Sequence, residues 1–264
     1  MVYCFCAPSC WQGGLAGRLR WLAVSLLFVA LLLQTGRAFA QQDNRVQARL
    51  ALSAAYFHAD MLTFAMVEAD KALLVSEQAP DALAMKAVIY QRQGRLDLAE
   101  RYFLQASLMA PNSPQIAHNW AVLACQQEKF EDAFAKFASA EAQSEGLDRD
   151  KTLWLWGDCL RQNNQLDAAN LKMSQALQRQ PGFISEGLTL AKLKLALGRD
   201  AEAEKILDLL NDSPSVSAQS LGLSVQLAHR QNQAVKKNHW GKMLGLLFSN
   251  SAQWRAYQEE VSHE

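Results

Sequence analysis

Small and apolar residues recur along the chain with a period of 34 residues. Ala65, Ala99 and Ala133 follow one another at that interval, and each is followed seven residues later by another alanine. Ala169 continues the series after 36 residues, and Ala203 after a further 34. Alanines at fixed offsets let two helix backbones approach closely. The pattern therefore predicts a chain of similar two-helix units, each packed in the same way.

The residues between the alanines are typical of the tetratricopeptide repeat. Gly94 and Gly198 fall at the turn between the two helices of a unit, where a left-handed residue ends the first helix. Pro111 falls where a second helix ends. We therefore predict an all-α fold, a tetratricopeptide-repeat superhelix of about six helix pairs over residues 46–248, and a C-terminal helix or tail over 249–264. The second unit matches the repeat best, through Ala87, Tyr90, Gly94, Leu96, Ala99, Phe103, Ala106 and Pro111.

The first forty residues have the pattern of a signal peptide. Arg18 and Arg20 precede an uncharged apolar run over 21–33, and a small-x-small cleavage site ends at Ala40. Thirteen residues are too few to span a bilayer comfortably but suit the apolar core of a signal peptide. We predict export to the periplasm with removal of residues 1–40. The alternative is an uncleaved leader that anchors the protein to the membrane.

Charge and composition exclude several classes of protein. Lysine plus arginine and aspartate plus glutamate balance at 26 each, so no nucleic-acid partner is predicted. Without the leader and its three arginines the remainder carries 23 basic and 26 acidic residues, a net charge of −3. Half of the chain is hydrophobic, with only 13 Gly and 6 Pro, which argues against a disordered chain or a turn-rich β protein.

The sequence after the leader offers little to catalysis or metal binding. It keeps two cysteines, Cys125 and Cys159, and neither has histidine or aspartate at the spacing of a zinc site. No motif of a hydrolase, a nucleotide-binding loop or a metalloprotease occurs. Trp156 is predicted to take a core position on its helix, and Trp154 to point elsewhere. We therefore predict a protein that is not an enzyme and uses no cofactor or metal.

The candidate site is the concave surface that the first helices of such an array line. On the first of these helices Leu50 and Phe57 lie seven residues apart on one face. An exposed apolar patch of this kind is typical of a protein-binding site. The alternative is that an N-terminal segment covers the patch. The partner-binding residues predicted from the repeat positions are Leu50, Ala54, Phe57, His58, Ala84, Val88, His118 and Val122.

Two stretches of the sequence resemble one family of repeat proteins. The run 118–127, His-Asn-Trp-Ala-Val-Leu-Ala-Cys-Gln-Gln, and the run 156–160, Trp-Gly-Asp-Cys-Leu, are similar to segments of the type IV pilus biogenesis and stability proteins PilF and PilW. The resemblance extends over roughly 45–260. Members of that family usually carry a lipoprotein signal, whereas this sequence has Ala40 followed by Gln41.

The resemblance implies a non-enzymatic role in which the protein binds the outer-membrane secretin and helps it localise and form its ring. It implies a protein partner, either this secretin or another pilus-assembly component. We predict that the protein acts as a monomer. The alternative is a generic periplasmic repeat adaptor that serves another export or cell-wall machine.

The same resemblance implies a disulfide between Cys125 and Cys159, since family members carry this pair. Successive first helices of an array pack about 8–10 Å apart, which lets side chains at equivalent positions meet. The predicted oxidising compartment permits the bond. It would lock two units whose connection is two residues longer than the others, in the segment 145–150. The alternative is two unpaired, buried cysteines.

The exported protein is expected to begin at Gln41, because the cleavage site ends at Ala40. Mass spectrometry of the protein recovered from the cell envelope tests this. An N-terminus at Met1, or an acylated cysteine, would contradict the prediction.

Overall fold

The computed structural model describes residues 41–179, 184–214 and 216–262. The predicted signal peptide therefore lies outside the described residues. Within them the chain forms thirteen α-helices and no β-strand, as the all-α prediction requires. No helix in this part of the chain is long and apolar enough to cross a membrane. The helices are α1 (41–58), α2 (Leu62–Val75), α3 (Pro80–Arg92), α4 (Leu96–Met109), α5 (Pro114–Gln126), α6 (Phe130–Gln143), α7 (Gly146–Gln162), α8 (Leu166–Arg179), α9 (Ile184–Ala196), α10 (Asp200–Asn211), α11 (Ala218–Arg230), α12 (Ala234–Phe248) and α13 (Ala252–Ser262).

One turn geometry recurs between the two helices of each pair. A residue with positive φ occurs at Asp60, Gly94, Glu128, Asn164, Gly198 and Asn232, so these turns follow one another at 34, 34, 36, 34 and 34 residues. Backbone hydrogen bonds close the turns in the same way, for example from the Asn164 amide to the Arg161 carbonyl at 3.0 Å. The two glycines predicted at these turns are confirmed in the left-handed region, with φ of 75° at Gly94 and 69° at Gly198.

The chain divides into two compact units, one ending at Gln93 and one starting at Gly94. In the first unit α1, α2 and α3 enclose two small apolar clusters. One is formed by Val46, Ala72, Ala79 and Ala82. The second is formed by Ala65, Ala69 and Ile89, with Tyr56 and Phe57 packed against it.

A hydrogen bond reinforces the contact between α1 and α2. The Ser53 hydroxyl, fully buried, donates to the Ala65 carbonyl at 2.7 Å. The buried hydroxyl is thereby satisfied, and the small serine side chain lets the two helices lie close together.

The second unit contains α4 to α13, and its core follows the repeat. The predicted alanines Ala99, Ala133, Ala169 and Ala203 have no exposed surface at all. Phe137 fills the space beside them in a cluster that includes Ala121, Ala124 and the two cysteines. Further along, the core consists mainly of leucines from α7, α9 and α10. Alanines at the crossing points and larger residues between them give the dense packing that a repeat array needs.

Helix α7 absorbs the two extra residues found in the sequence. It spans 17 residues, whereas α5 and α9 each span 13, so it has an additional turn at its N-terminus. Arg149 in this turn pairs with Glu141 of α6 at 3.2 Å, and Lys172 of α8 pairs with the same carboxylate at 2.8 Å. Burial opposes ionisation of Glu141, but hydrogen bonds from Lys172 and Arg149 outweigh it and lower the pKa of this carboxyl.

The C-terminal helix α13 fits closely onto α11 and α12. A Cβ atom on Gly241 would collide with the Tyr257 ring, and one on Gly245 would lie 2.7 Å from the Trp254 ring. Glu260 of α13 forms an ion pair with the buried Lys237 at 2.9 Å. Glycines that leave room for its side chains and the ion pair from Glu260 therefore help to position the helix.

The recurring turn predicts opposite effects for two substitutions. Gly198→Ala is expected to lower the free energy of unfolding by about 1 kcal/mol, because a side chain at positive φ is strained although space is open around it. Glu128→Gly is expected to raise it by about 0.5–1 kcal/mol, since the strain removed exceeds the added chain entropy. Urea unfolding followed by circular dichroism measures both.

A matched control is Ala138→Gly on the exposed side of α6, where a glycine has no turn to favour it. This change is expected to cost about 1 kcal/mol. A lower urea midpoint for Glu128→Gly would refute the explanation from backbone strain.

Candidate functional site

The predicted binding residues of α1 are only partly available to a partner. Leu50 is half-buried against the cluster of Val46, Ala72, Ala79 and Ala82. Phe57 is also half-buried, and the Arg92 guanidinium lies 5.3 Å from its ring centroid. His58 is exposed and Ala54 is half-buried. Leu50 and Phe57 therefore present only part of their side chains to a partner.

Helix α3 provides the next two predicted residues, which differ in exposure. Val88 is half-buried. Ala84 is only 6% exposed and belongs to the packed interior, so it offers almost no surface to a partner. Its repeat position does not reveal that it is buried, because alanine occurs both on groove surfaces and at contacts between helices. Of the residues predicted on α1 and α3, only Ala84 is lost to the interior. Phe57, His58 and Val88 keep accessible surface, as do Leu50 and Ala54, and Arg92 lies over the Phe57 ring.

His118 of α5 is held by a residue of α7. Its Nδ1 atom lies 2.8 Å from the Thr152 hydroxyl oxygen. That hydroxyl lies 2.8 Å from the Asp148 carbonyl, to which it can only donate. When the Thr152 hydroxyl donates to the Asp148 carbonyl, its oxygen accepts from His118, and this arrangement places the imidazole proton on Nδ1. Burial lowers the pKa of His118, and the nearby Lys151 adds to the decrease against the opposing effect of Asp148, so the ring is neutral near pH 7.

Cys125 and Cys159 lie together between α5 and α7. Their Cα atoms are 5.9 Å apart, within the range of a disulfide, and both side chains are buried. Val122 is half-buried beside them. The pair lies at one end of the contact between α5 and α7, and the hydrogen bond between His118 and Thr152 lies at the other.

A cavity of about 390 Å³ lies between the N-terminal halves of α5 and α7. Among the residues predicted as partner-binding, His118 alone lines it. Pro114 and Gln115 also belong to α5. The remaining lining residues lie at the end of α6, in the loop after it and in the first turns of α7, where the sequence predicts no site. The repeat interval of 36 instead of 34 residues was the one sequence signal that this region differs from the other units. The cavity is lined by Pro114, Gln115, His118, Gln143, Ser144, Glu145, Asp148, Lys151 and Thr152.

Nothing in the described part of the chain resembles a metal centre. No three histidine, cysteine, aspartate or glutamate side chains there converge on a possible ion. The acidic side chains with a lowered pKa, such as Glu68 and Glu100, owe the shift first to hydrogen bonds from a neighbouring lysine. These carboxylates belong to structural ion pairs: the buried Glu68 contacts Arg49 and Lys71, and Glu100 contacts Lys129.

Six recurring turns and alanine-packed helix pairs define the chain as a tetratricopeptide-repeat protein. No family model matches it. It is similar to the type IV pilus assembly protein PilF of Pseudomonas aeruginosa, with 22% identity over 228 residues, which are 86% of this chain and 84% of that protein. The resemblance to PilF and PilW predicted from the residues is confirmed.

Solved structures give the same fold. The structure of Pseudomonas aeruginosa PilF matches with a TM-score of 0.70 and 21% identity, covering 83% of this chain and 99% of that one. PilW, a widely conserved type IV pilus biogenesis factor, matches with a TM-score of 0.66 and 22% identity. The match covers 80% of this chain and 97% of PilW. YrrB, a repeat protein with an unusual peptide-binding site, matches with a TM-score of 0.59 and 10% identity. The match covers 72% of this chain and 97% of YrrB. The predicted tetratricopeptide-repeat α-solenoid is confirmed.

The cysteine pair leads to a direct measurement. Thiol titration of the denatured, unreduced mature protein is expected to find no free thiol, and reduction should lower the free energy of unfolding by about 2–4 kcal/mol. A double Cys125→Ala and Cys159→Ala variant serves as the control that reduction leaves unchanged. Two free thiols per chain would rule the disulfide out.

Proposed function

We propose that this chain is a non-enzymatic scaffold of type IV pilus biogenesis, which binds a protein partner on the surface of its first helices. The similarity to Pseudomonas aeruginosa PilF carries the proposal, since it extends over most of both chains. The likeness to PilW supports the same assignment. The peptide-binding site of YrrB supports partner binding as a use of this fold.

The partner we propose is the outer-membrane secretin of the pilus machinery. The leader pattern over residues 1–40 supports export to the periplasm, the compartment from which such a secretin is reached. A single pair of juxtaposed cysteines suits that oxidising compartment. The chain carries no strong net charge, so the contact is expected to depend on shape and apolar area rather than on long-range attraction.

The binding surface we propose in the first unit is formed by α1 and α3. Phe57 is its aromatic anchor, because it packs against the cluster of Ala65, Ala69 and Ile89 and yet is only half-buried. His58 follows it on α1, with ring centroids 5.9 Å apart, and Val88 lies on α3 at a repeat position expected to face a groove. Arg92 adds a cationic group over the Phe57 ring and approaches Asp60 at 3.7 Å. An aromatic ring with an arginine is the composition that interface hot spots favour.

Retention of the solubilised secretin by the immobilised chain tests this surface. Phe57→Glu is expected to weaken retention about thirty-fold, which corresponds to the loss of a hot-spot contact. His58→Glu, at an exposed position, is expected to weaken it without affecting the fold. Thermal unfolding by circular dichroism shows whether each variant remains folded.

The matched control is Phe64→Glu on α2. Phe64 is 53% exposed and lies beside Tyr56, so the variant introduces the same charge on a second helix. It is expected to retain the secretin as the unchanged protein does. Equal loss in both phenylalanine variants, or wild-type binding by folded Phe57→Glu and His58→Glu, would place the site elsewhere. A chain that captures cell-wall or other export components and no secretin would support the generic adaptor instead.

A further inference from the structure

The cavity between the N-terminal halves of α5 and α7 has the features of a side-chain pocket. We propose that it binds a basic side chain, lysine or arginine, presented by a protein partner, and that His118, Asp148 and Glu145 provide the acceptors. The inference deepens the proposed function, on which it rests for the existence of a protein partner. The cavity, with a volume of about 390 Å³, is large enough for one long side chain.

The pocket exists because α7 is longer than its counterparts. The additional turn places Asp148 in the lining of the cavity. Glu145, the residue directly before the helix, is the N-cap of α7 and also lines the cavity. On the opposite wall α5 begins at Pro114 and presents His118 one turn later. A first helix of 13 residues, such as α3, lacks the turn that forms this wall.

His118 is prepared to accept a hydrogen bond. Since its Nδ1 donates to Thr152, Nε2 keeps its lone pair in the neutral ring. In the described structure Nε2 has no hydrogen-bond partner, and it is not among the buried polar atoms without one. The imidazole therefore presents an acceptor, fixed in orientation by Thr152, to a donor that enters the cavity.

The charges around the cavity favour a cation. Glu145 and Asp148 are exposed carboxylates, and neither has an ion-pair partner in the described part of the chain. Lys151 is the one cationic side chain among the lining residues, and Arg149 of the same turn is already paired with Glu141. The Asp148 carboxylate, in the first turn of α7, also offsets the positive end of that helix. Two carboxylates against one ammonium leave the pocket with a net negative charge.

The walls of the pocket are rigidly connected, which limits the cost of binding. Thr152 joins α7 to His118 near the cavity, and the juxtaposed Cys125 and Cys159 join the same helices further along. Phe137 packs its ring against the edge of His118, with centroids 6.4 Å apart. A preformed pocket avoids the entropy loss of ordering its own side chains when a partner binds.

Short peptides test the proposal without the partner. The probes are acetyl-Ala-Lys-Ala-amide and its Arg, Glu and Ala counterparts, titrated into the mature chain to about 20 mM, above the millimolar affinity that a single side chain gives. Long-range proton–nitrogen NMR spectra follow the His118 imidazole. The Lys and Arg peptides are expected to shift the Nε2 resonance, while the Glu and Ala peptides leave it in place. No shift with any peptide, or an equal shift with the Glu peptide, would overturn the proposal.

Two variants connect the shift to the named groups. Asp148→Asn is expected to weaken lysine-peptide binding at least threefold, whereas Asp97→Asn is expected to leave it unchanged. Asp97 is an exposed carboxylate in the first turn of α4 and so provides the matched control. His118→Leu should abolish the affinity and His118→Gln should retain part of it, because Gln keeps an acceptor, with binding measured in both by the Thr152 amide resonance. Equal affinity in Asp148→Asn and the unchanged chain would also contradict the pocket.

The outcome can be separated from that of the proposed function. If the chain retains no secretin but binds the lysine peptide through these groups, the pocket stands and the assignment to the pilus fails. If the secretin is retained and the lysine peptide does not bind, the pocket is wrong and the assignment remains.

Discussion

Close contact between helix backbones at buried alanines is the constraint on which this structure depends. Each central alanine of the series, from Ala65 to Ala203, has no exposed surface, so any larger side chain would force the helices apart. Because the contact repeats every 34 or 36 residues, the direction of one helix pair is reproduced in the next pair of the same unit. The larger side chains, such as Phe103 and Phe137, then fill the space that the alanines define.

The departure from strict repetition occurs at α7, and the candidate chemistry lies there. The two extra residues lengthen the helix at its N-terminus and bring Asp148 and Arg149 into contact range of neighbouring helices. Regular units of an array offer similar surfaces, so an irregular one is where a distinct pocket can form. The cysteine pair and the His118 contact lie on the same two helices, at the two ends of this irregular region.

Most of the fold could be predicted from the sequence. Alanines that recur at a fixed spacing indicate close contacts between helices, and glycines at that spacing indicate left-handed turns. The alanine series and the turns at Gly94 and Gly198 are recovered in the structure. The left-handed Glu128 gave no comparable signal, since glutamate is rarely found in that conformation. Ala84 was assigned to the groove although it is buried. Alanine is common both on exposed helix faces and at buried helix contacts, so its identity does not show which face it occupies.

The tryptophans of α7 show a second limit of the sequence. Trp156 was expected in the core and Trp154 outside it, but the structure buries Trp154 as well, and more deeply than Trp156. Trp154 is 9% exposed within the leucine-rich core, whereas Trp156 is half-buried between the Phe137 ring and the Lys172 ammonium. Which of two nearby aromatic residues is covered depends on the helices packed alongside, and this is a long-range property that a local pattern does not contain.

The recurring turn also bears on how such a chain can change in length. Its closing contacts are backbone hydrogen bonds, and the side chains at the left-handed position, among them Asp60, Asn164 and Asn232, project into solvent. A duplication or deletion that runs from one turn to the next would therefore join two ends of the same geometry and leave every helix with a suitable neighbour. Lengthening the array by whole units is mechanically simple, whereas an insertion of another size must be absorbed within a helix, as it is in α7.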